Sequence, residues 1–180
     1  MKLSTAVFLT LLAAISTSPL STSMAGELST VINGKSFHLN SEYQWNEKNY
    51  GLGFEYSFDT KSRWRKAVMV NGFRDSNNTM SYMAGGGLHY RVLQSERFSG
   101  FYVDAGIIAF MMTREDINGN KPFPGALPSL SLGNRYAGFN FTYLPREMVK
   151  QAYAGRRIDP NISGVLYVQL KVNIGQILHH

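Results

Sequence analysis

The chain of 180 residues contains no cysteine, and after residue 25 it contains no long hydrophobic run. The missing cysteine excludes a disulfide framework, a thiolate metal site and a nucleophilic thiol. A membrane-spanning helix needs about 20 apolar residues, so any membrane embedding of this chain requires a β-barrel. The two final histidines, His179 and His180, are too few to form a metal site. We therefore expect neither a metal ion nor a cofactor.

The charge of the chain is positive but dispersed. The sequence has 18 Lys and Arg residues against 12 Asp and Glu residues, a formal net charge of +6. A nucleic-acid-binding protein concentrates its basic residues in one patch or stripe, whereas here they are scattered among aromatic residues. We therefore expect no nucleic-acid partner, and the pattern favours attraction to anionic lipid head groups.

The first 25 residues have the features of a signal peptide. Lys2 supplies a positive start, residues 6–15 form an apolar core, and Ser23-Met24-Ala25 is a small-residue cleavage site. We expect residues 1–25 to be removed, leaving residues 26–180 as one domain.

The rest of the chain alternates between apolar and polar residues, which is the period of a β-strand. In residues 98–112, for example, Val103, Ile107 and Met111 fall on one face, while Tyr102 and Asp104 fall on the other. Similar runs predict eight strands, at about 28–39, 49–58, 65–75, 79–92, 98–112, 124–132, 135–144 and 166–174. The sequence therefore predicts an all-β fold, an eight-stranded antiparallel transmembrane β-barrel.

Three polar residues are predicted to meet at one rim of this barrel. His38 ends one upward strand and the pair Asp75-Ser76 ends another, and most connections on that side are long, as on the outer side of outer-membrane barrels. Such residues can deprotonate, orient and polarise an acyl-transfer centre. A second interpretation is that residues 75–78 simply form a hairpin turn, for which Asp, Ser and Asn are common.

Two blocks of sequence carry a family resemblance. The first runs from Phe54 through Gly72-Phe73-Arg74-Asp75-Ser76 to Met83-Ala84-Gly85-Gly86-Gly87. The second runs from Pro122-Phe123-Pro124-Gly125-Ala126-Leu127-Pro128 to Thr142-Tyr143-Leu144-Pro145. Together they resemble the PagP family of outer-membrane lipid A palmitoyltransferases, whose fold is an eight-stranded barrel with an internal hydrocarbon pocket. The resemblance favours the catalytic interpretation of the rim residues.

The resemblance implies a role for each catalytic residue. His38 would accept the proton of the attacking lipid A hydroxyl, Asp75 would fix the tautomer of His38, and Ser76 would polarise the ester or hold the head group. The acyl donor would be a glycerophospholipid and the acceptor lipid A, both in the outer membrane, and we expect a monomer.

Three further residues match the family's substrate-binding positions. Gly87 would floor the acyl pocket, although glycines also simply relieve crowding inside a small barrel. Pro128 and Pro145 would flank a lateral opening between the sixth and seventh strands, because proline donates no ladder hydrogen bond.

The chain also departs from the family pattern. Asn33 and Asn49 stand where the family has prolines that bound a second opening, and little chain precedes Lys35 for the usual amphipathic N-terminal helix. Two other functions fit a barrel of this kind. A non-catalytic structural protein or adhesin would explain the alternation but not Asp75-Ser76 with the proline sites. A lipid A deacylase is usually recognised by a His-x-Ser pair, which this sequence lacks.

Overall fold

Eight antiparallel strands close into a barrel in the computed structural model, which describes residues 26–152 and 159–175. The strands are β1 (Gly26–Leu39), β2 (Lys48–Phe58), β3 (Trp64–Arg74), β4 (Met80–Ser95), β5 (Phe101–Met112), β6 (Phe123–Gly133), β7 (Ala137–Pro145) and β8 (Gly164–Asn173). Each strand pairs with the next, and β8 pairs with β1. The predicted fold class is confirmed. The predicted signal peptide at residues 1–25, His179 and His180 lie outside the described residues.

Among the described residues, three short helical segments lie in the connections: α1 (Arg97–Gly100), α2 (Glu115–Asn118) and α3 (Arg146–Ala152). The first is a tight left-handed turn, since Phe98 and Ser99 have φ values of 53° and 61°. In the described part of the chain, no helix combines the length and the apolar character needed to cross a membrane.

The alternation predicted from the sequence sorts side chains between the outside and the inside of the barrel. On β5, Ile107 and Met111 are exposed on the outer surface, while Tyr102, Asp104 and Ile108 are buried. The outer surface of the wall is therefore largely apolar, as a lipid-facing surface requires.

The interior is polar towards one end. We call the end where β1 begins the lower rim, and the end where it finishes the upper rim. In the lower half, Lys171 Nζ lies 3.0 Å from Glu55 Oε1, and the guanidinium of Arg91 binds both carboxylate oxygens of Asp104 at 2.7 and 2.9 Å. These ion pairs satisfy charges that would otherwise be costly to bury.

We expect Lys171→Met to lower the free energy of unfolding by about 3 kcal/mol, because it leaves the buried carboxylate of Glu55 without its cation. Urea titration of the refolded barrel in lipid vesicles measures this change. The double variant Lys171→Met with Glu55→Gln should recover much of the loss, because no unpaired charge then remains.

The matched control is Lys150→Met. Lys150 Nζ also lies 3.0 Å from a carboxylate oxygen, that of Glu147, but both side chains are exposed on α3. Exposed ion pairs contribute about 0–1 kcal/mol. Equal losses in the Lys171 and Lys150 variants would contradict a stabilising role for the interior ion pair.

Candidate active site

His38 and Ser76 meet at the upper rim. His38 is the penultimate residue of β1, and Ser76 lies in the turn that follows β3. The Nε2 atom of His38 lies 3.1 Å from the Oγ atom of Ser76, within hydrogen-bonding distance. The His38 side chain is only 5% exposed. The structure thus brings together two of the three predicted catalytic residues.

Asp75 lies beside this pair, but its carboxylate binds the turn rather than the imidazole. It accepts hydrogen bonds from the backbone N–H groups of Asn77 and Thr79 and from the hydroxyls of Thr79 and Ser81, at 2.9–3.1 Å. The prediction that Asp75 fixes the tautomer of His38 is therefore wrong for this structure. Asp75 instead holds the turn that presents Ser76, so the turn and the catalytic interpretations are compatible.

The connection between β1 and β2 covers the imidazole of His38. The indole of Trp45 stacks on it, with ring centroids 5.1 Å apart and an interplanar angle of 15°. The Nδ1 atom of His38 has no hydrogen-bond partner among the described residues, and Glu47 Oε1 lies 3.9 Å away. Neither Trp45 nor Glu47 is predicted from the sequence, because residues in an irregular loop carry no periodic signal.

Arg114 places a positive charge next to the turn. Its guanidinium binds both carboxylate oxygens of Asp116 at 2.9 and 3.0 Å, and its Nε atom lies 3.7 Å from Asp75 Oδ2. Asn77 donates to Asp116 at 2.7 Å, which ties the β5–β6 connection to the turn. Arg114, which the sequence analysis did not single out, is thus a cation at the mouth of the interior cavity.

A cavity of about 510 Å³ opens at this site and descends into the barrel. Its mouth is formed by Asp75, Ser76 and Arg114, and Ile108 and Gln169 lie among its deepest lining residues. Its walls are mainly apolar and include Phe73, Met83, Phe110, Met112, Leu127, Leu144 and Val165. This size and lining are typical of a site for an apolar ligand.

Gly87 does not line this cavity, contrary to the prediction that it forms the floor. A Cβ atom at Gly87 would lie 2.7 Å from His89 Cε1 and 3.4 Å from Ile108 Cγ2. Gly87 pairs with Ile108 across the β4–β5 ladder, and the buried Ile108 side chain lines the cavity. Ile108 therefore occupies the floor, and Gly87 lies behind it.

The barrel wall has a gap between β6 and β7 near its upper rim. The two strands pair only over residues 129–133 and 138–142, although β6 begins at Phe123 and β7 ends at Pro145. A groove of about 350 Å³ lies here, lined by Pro128, Tyr143 and Leu166 among others. The structure places Pro128 at this groove and Pro145 at the upper end of the unpaired part of β7.

The wall between β1 and β2 stays paired over the corresponding height, apart from an irregularity in register between Asn33 and Lys35. Their ladder extends to the pair Lys35 and Lys48, and Ser36 N donates to Glu47 O at 3.0 Å beyond it. The side chain of Asn33 points inward and accepts hydrogen bonds from Tyr167 and Gln169. Asn33 thus belongs to a paired wall and makes a polar contact in the interior.

In the described residues, no group of three potential metal ligands comes together.

A family model and several curated relatives that match this chain all carry the same family name. A family model described as "PagP: Antimicrobial peptide resistance and lipid A acylation protein PagP" matches residues 26–153. The protein "Lipid A acyltransferase PagP" of Methylobacillus flagellatus is 34% identical over 100 residues, which are 55% of this chain and 52% of the relative. The protein of the same name from Salmonella typhimurium is 32% identical over 105 residues, 57% of this chain and 53% of the relative.

A third relative, "Lipid A acyltransferase PagP" of Bordetella pertussis, is 30% identical over 123 residues, 63% of this chain and 64% of the relative. The chain spans about half the length of the first two relatives that it matches. The match to the family model runs from the first residue of β1 to the end of α3, which includes His38, Asp75 and Ser76. The chain belongs to the PagP family.

Proposed function

We propose that the protein transfers a palmitoyl chain from a glycerophospholipid to a hydroxyl group of lipid A, in the outer leaflet of the outer membrane. The observation that carries this proposal is the contact between His38 and Ser76 at the mouth of an apolar interior cavity. We infer lipid A as the acceptor from the names of the relatives, since each is described as a lipid A acyltransferase. No cofactor is needed, because an ester donor is already activated for acyl transfer.

The cavity and the gap in the wall support a phospholipid donor. The unpaired part of β6 contributes Pro124, Ala126 and Leu127 to the cavity lining, so the gap and the cavity share one stretch of strand. An acyl chain of a membrane lipid can enter sideways there while its head group stays near the upper rim. The ester then lies near Ser76 and Arg114, and the hydrocarbon occupies the apolar interior.

The reaction follows from the geometry of the rim. The lipid A hydroxyl oxygen attacks the ester carbonyl carbon of the donor, and His38 accepts the proton of that hydroxyl. The hydroxyl of Ser76 donates a hydrogen bond to the developing oxyanion. When the intermediate collapses, the bond to the glycerol oxygen breaks, and His38 returns the proton to the departing lysophospholipid.

Asp75 has a positioning role in this proposal. Its hydrogen bonds hold residues 75–79 in the turn that fixes the height of Ser76. A closed barrel needs no second copy to complete its wall, which supports a monomer. A structural protein or an adhesin would not need the rim pair, and unchanged lipid A in expressing cells would favour that function.

We expect His38→Ala to reduce acyl transfer by about 10²–10⁴-fold, because it removes the general base. Ser76→Ala and Asp75→Ala should also reduce transfer, the first by removing the oxyanion donor and the second by releasing the turn. Mass spectrometry of lipid A from expressing cells measures the gain of a palmitate-sized mass. The control is Lys121→Ala, an exposed residue in the connection between β5 and β6.

All four variants should remain heat-modifiable on electrophoresis, because rim side chains contribute little to the strand ladder. Full transfer by the His38, Asp75 and Ser76 variants would refute the site assignment. The site assignment would be supported if the His38, Asp75 and Ser76 variants fold but transfer no palmitate while the Lys121 variant stays active.

We expect Ile108→Ala to shift donor selection from palmitoyl towards stearoyl chains, because it removes three carbons from the floor of the cavity. Competition between phospholipids with myristoyl, palmitoyl and stearoyl chains measures the shift. Some loss of stability, about 2–5 kcal/mol, should accompany the change. Gly87→Ala should destabilise the barrel by crowding His89. Its effect on the selected donor chain length should be smaller than that of Ile108→Ala.

The matched control is Ile107→Ala. Ile107 neighbours Ile108 in the chain but is 58% exposed on the outer surface. The same chain-length profile in the Ile107 and Ile108 variants would mean that Ile108 does not limit the depth of the acyl site.

A further inference from the structure

A series of side-chain contacts connects the α3–β8 connection to His38. Asp159 contacts Ser41, Ser41 contacts Trp45, and Trp45 contacts His38. Residues 41 and 45 lie in the β1–β2 connection, whereas Asp159 lies more than a hundred residues further along the chain. We call Asp159, Ser41 and Trp45 the loop relay.

Asp159 is the anchor of the loop relay. It is only 2% exposed, and its Oδ2 atom accepts hydrogen bonds from Ser41 Oγ at 2.5 Å and from the backbone N–H groups of Glu42 and Tyr43 at 2.6 and 3.2 Å. Its Oδ1 atom accepts one from Asn161 N at 2.9 Å. The hydrogen bond from Ser41, together with those from the backbone, lowers the pKa of Asp159 to about 2. The anchor is therefore a fully ionised acceptor at neutral pH.

Trp45 connects the anchored loop to the imidazole of His38. Its Nε1–H donates to Ser41 Oγ at 2.7 Å, which fixes the rotation of the indole. The flat face of that indole lies against the ring of His38. Since His38 Nδ1 has no hydrogen-bond partner among the described residues, the ring is held by its contact with Ser76 and by this stack.

We infer that Asp159 is a positioning residue for His38 and acts through Ser41 and Trp45. The inference rests on the proposed function, in which His38 is the base. Neither Asp159 nor Trp45 lines the cavity. The loop relay therefore affects the orientation of the base and not the binding of the donor chain.

Fluorescence tests the geometry without any need for activity. The chain has two tryptophans, so Trp64→Phe leaves Trp45 as the single reporter. In that background, Asp159→Asn and the milder Ser41→Ala should raise the acrylamide quenching constant of Trp45 and shift its emission to longer wavelength. The matched control is Glu147→Gln, which also removes one negative charge from an outer connection. An unchanged quenching constant in both loop-relay variants would overturn the inference.

Kinetics test the consequence, with the full chain in lipid vesicles. A small displacement of a catalytic group costs up to about 100-fold in rate, so we expect Asp159→Asn to lower kcat by about 10- to 100-fold and to leave KM for the phospholipid unchanged. Glu147→Gln should retain the parent values of both constants. A rise in KM with unchanged kcat would overturn the inference.

A double-mutant cycle tests the route. If Asp159 acts through Trp45, then Asp159→Asn should cause no further loss in a Trp45→Leu background. Independent losses that multiply would overturn the inference. If the parent protein itself transfers no acyl chain, the proposed function fails, while the quenching experiment still decides whether Asp159 positions the ring beside His38.

Discussion

The structure depends on the backbone hydrogen bonds that close the barrel. In a small barrel each strand satisfies the polar backbone groups of its neighbours, and the pairing of β8 with β1 removes the last free edge. The proposed chemistry depends on the place where this pairing stops. Above Ser129 and Thr142 the strands β6 and β7 separate, and Pro128, which has no N–H group, lies at the start of the unpaired stretch. Where a proline stands, a gap in the wall therefore leaves fewer backbone N–H groups without an acceptor.

The two halves of the closed interior differ in their chemistry. The lower half holds ion pairs such as Glu55 with Lys171, which rigidify it as long as every charge is satisfied. The upper half leaves an apolar cavity above Ile108. In the proposed function, the boundary between the two halves sets how far a hydrocarbon chain descends. The cavity therefore coexists with a well-supported barrel, because the ion pairs of Glu55 with Lys171 and of Asp104 with Arg91 lie in the other half of the interior.

The rim joins local turn chemistry to the proposed catalysis. Asp75 forms the hydrogen bonds expected of an aspartate at the start of a turn, and these bonds place Ser76 against His38. The outer connections then close over the imidazole from two distant parts of the chain. Asp159 holds the β1–β2 connection, and the stacked indole of Trp45 limits how the imidazole can rotate. In the proposed reaction, the orientation of the base can therefore be tuned through the loops without change to the cavity.

The sequence by itself determined the strands, their faces and the rim on which His38 and Ser76 lie. Those features depend on a local two-residue period and on the count of strands, so Ile107 outside and Ile108 inside follow from neighbouring residues alone. The partners of buried groups depend on strands and loops that are distant in sequence. The tertiary structure therefore decided that Ile108 occupies the space in front of Gly87, that Asp75 binds its own turn instead of His38, and that Trp45 covers the imidazole. The local sequence allows Asp75 to bind either its own turn or His38. The contacts of Ile108 with Gly87 and of Trp45 with His38 join different elements, and no period in the sequence records where such residues meet.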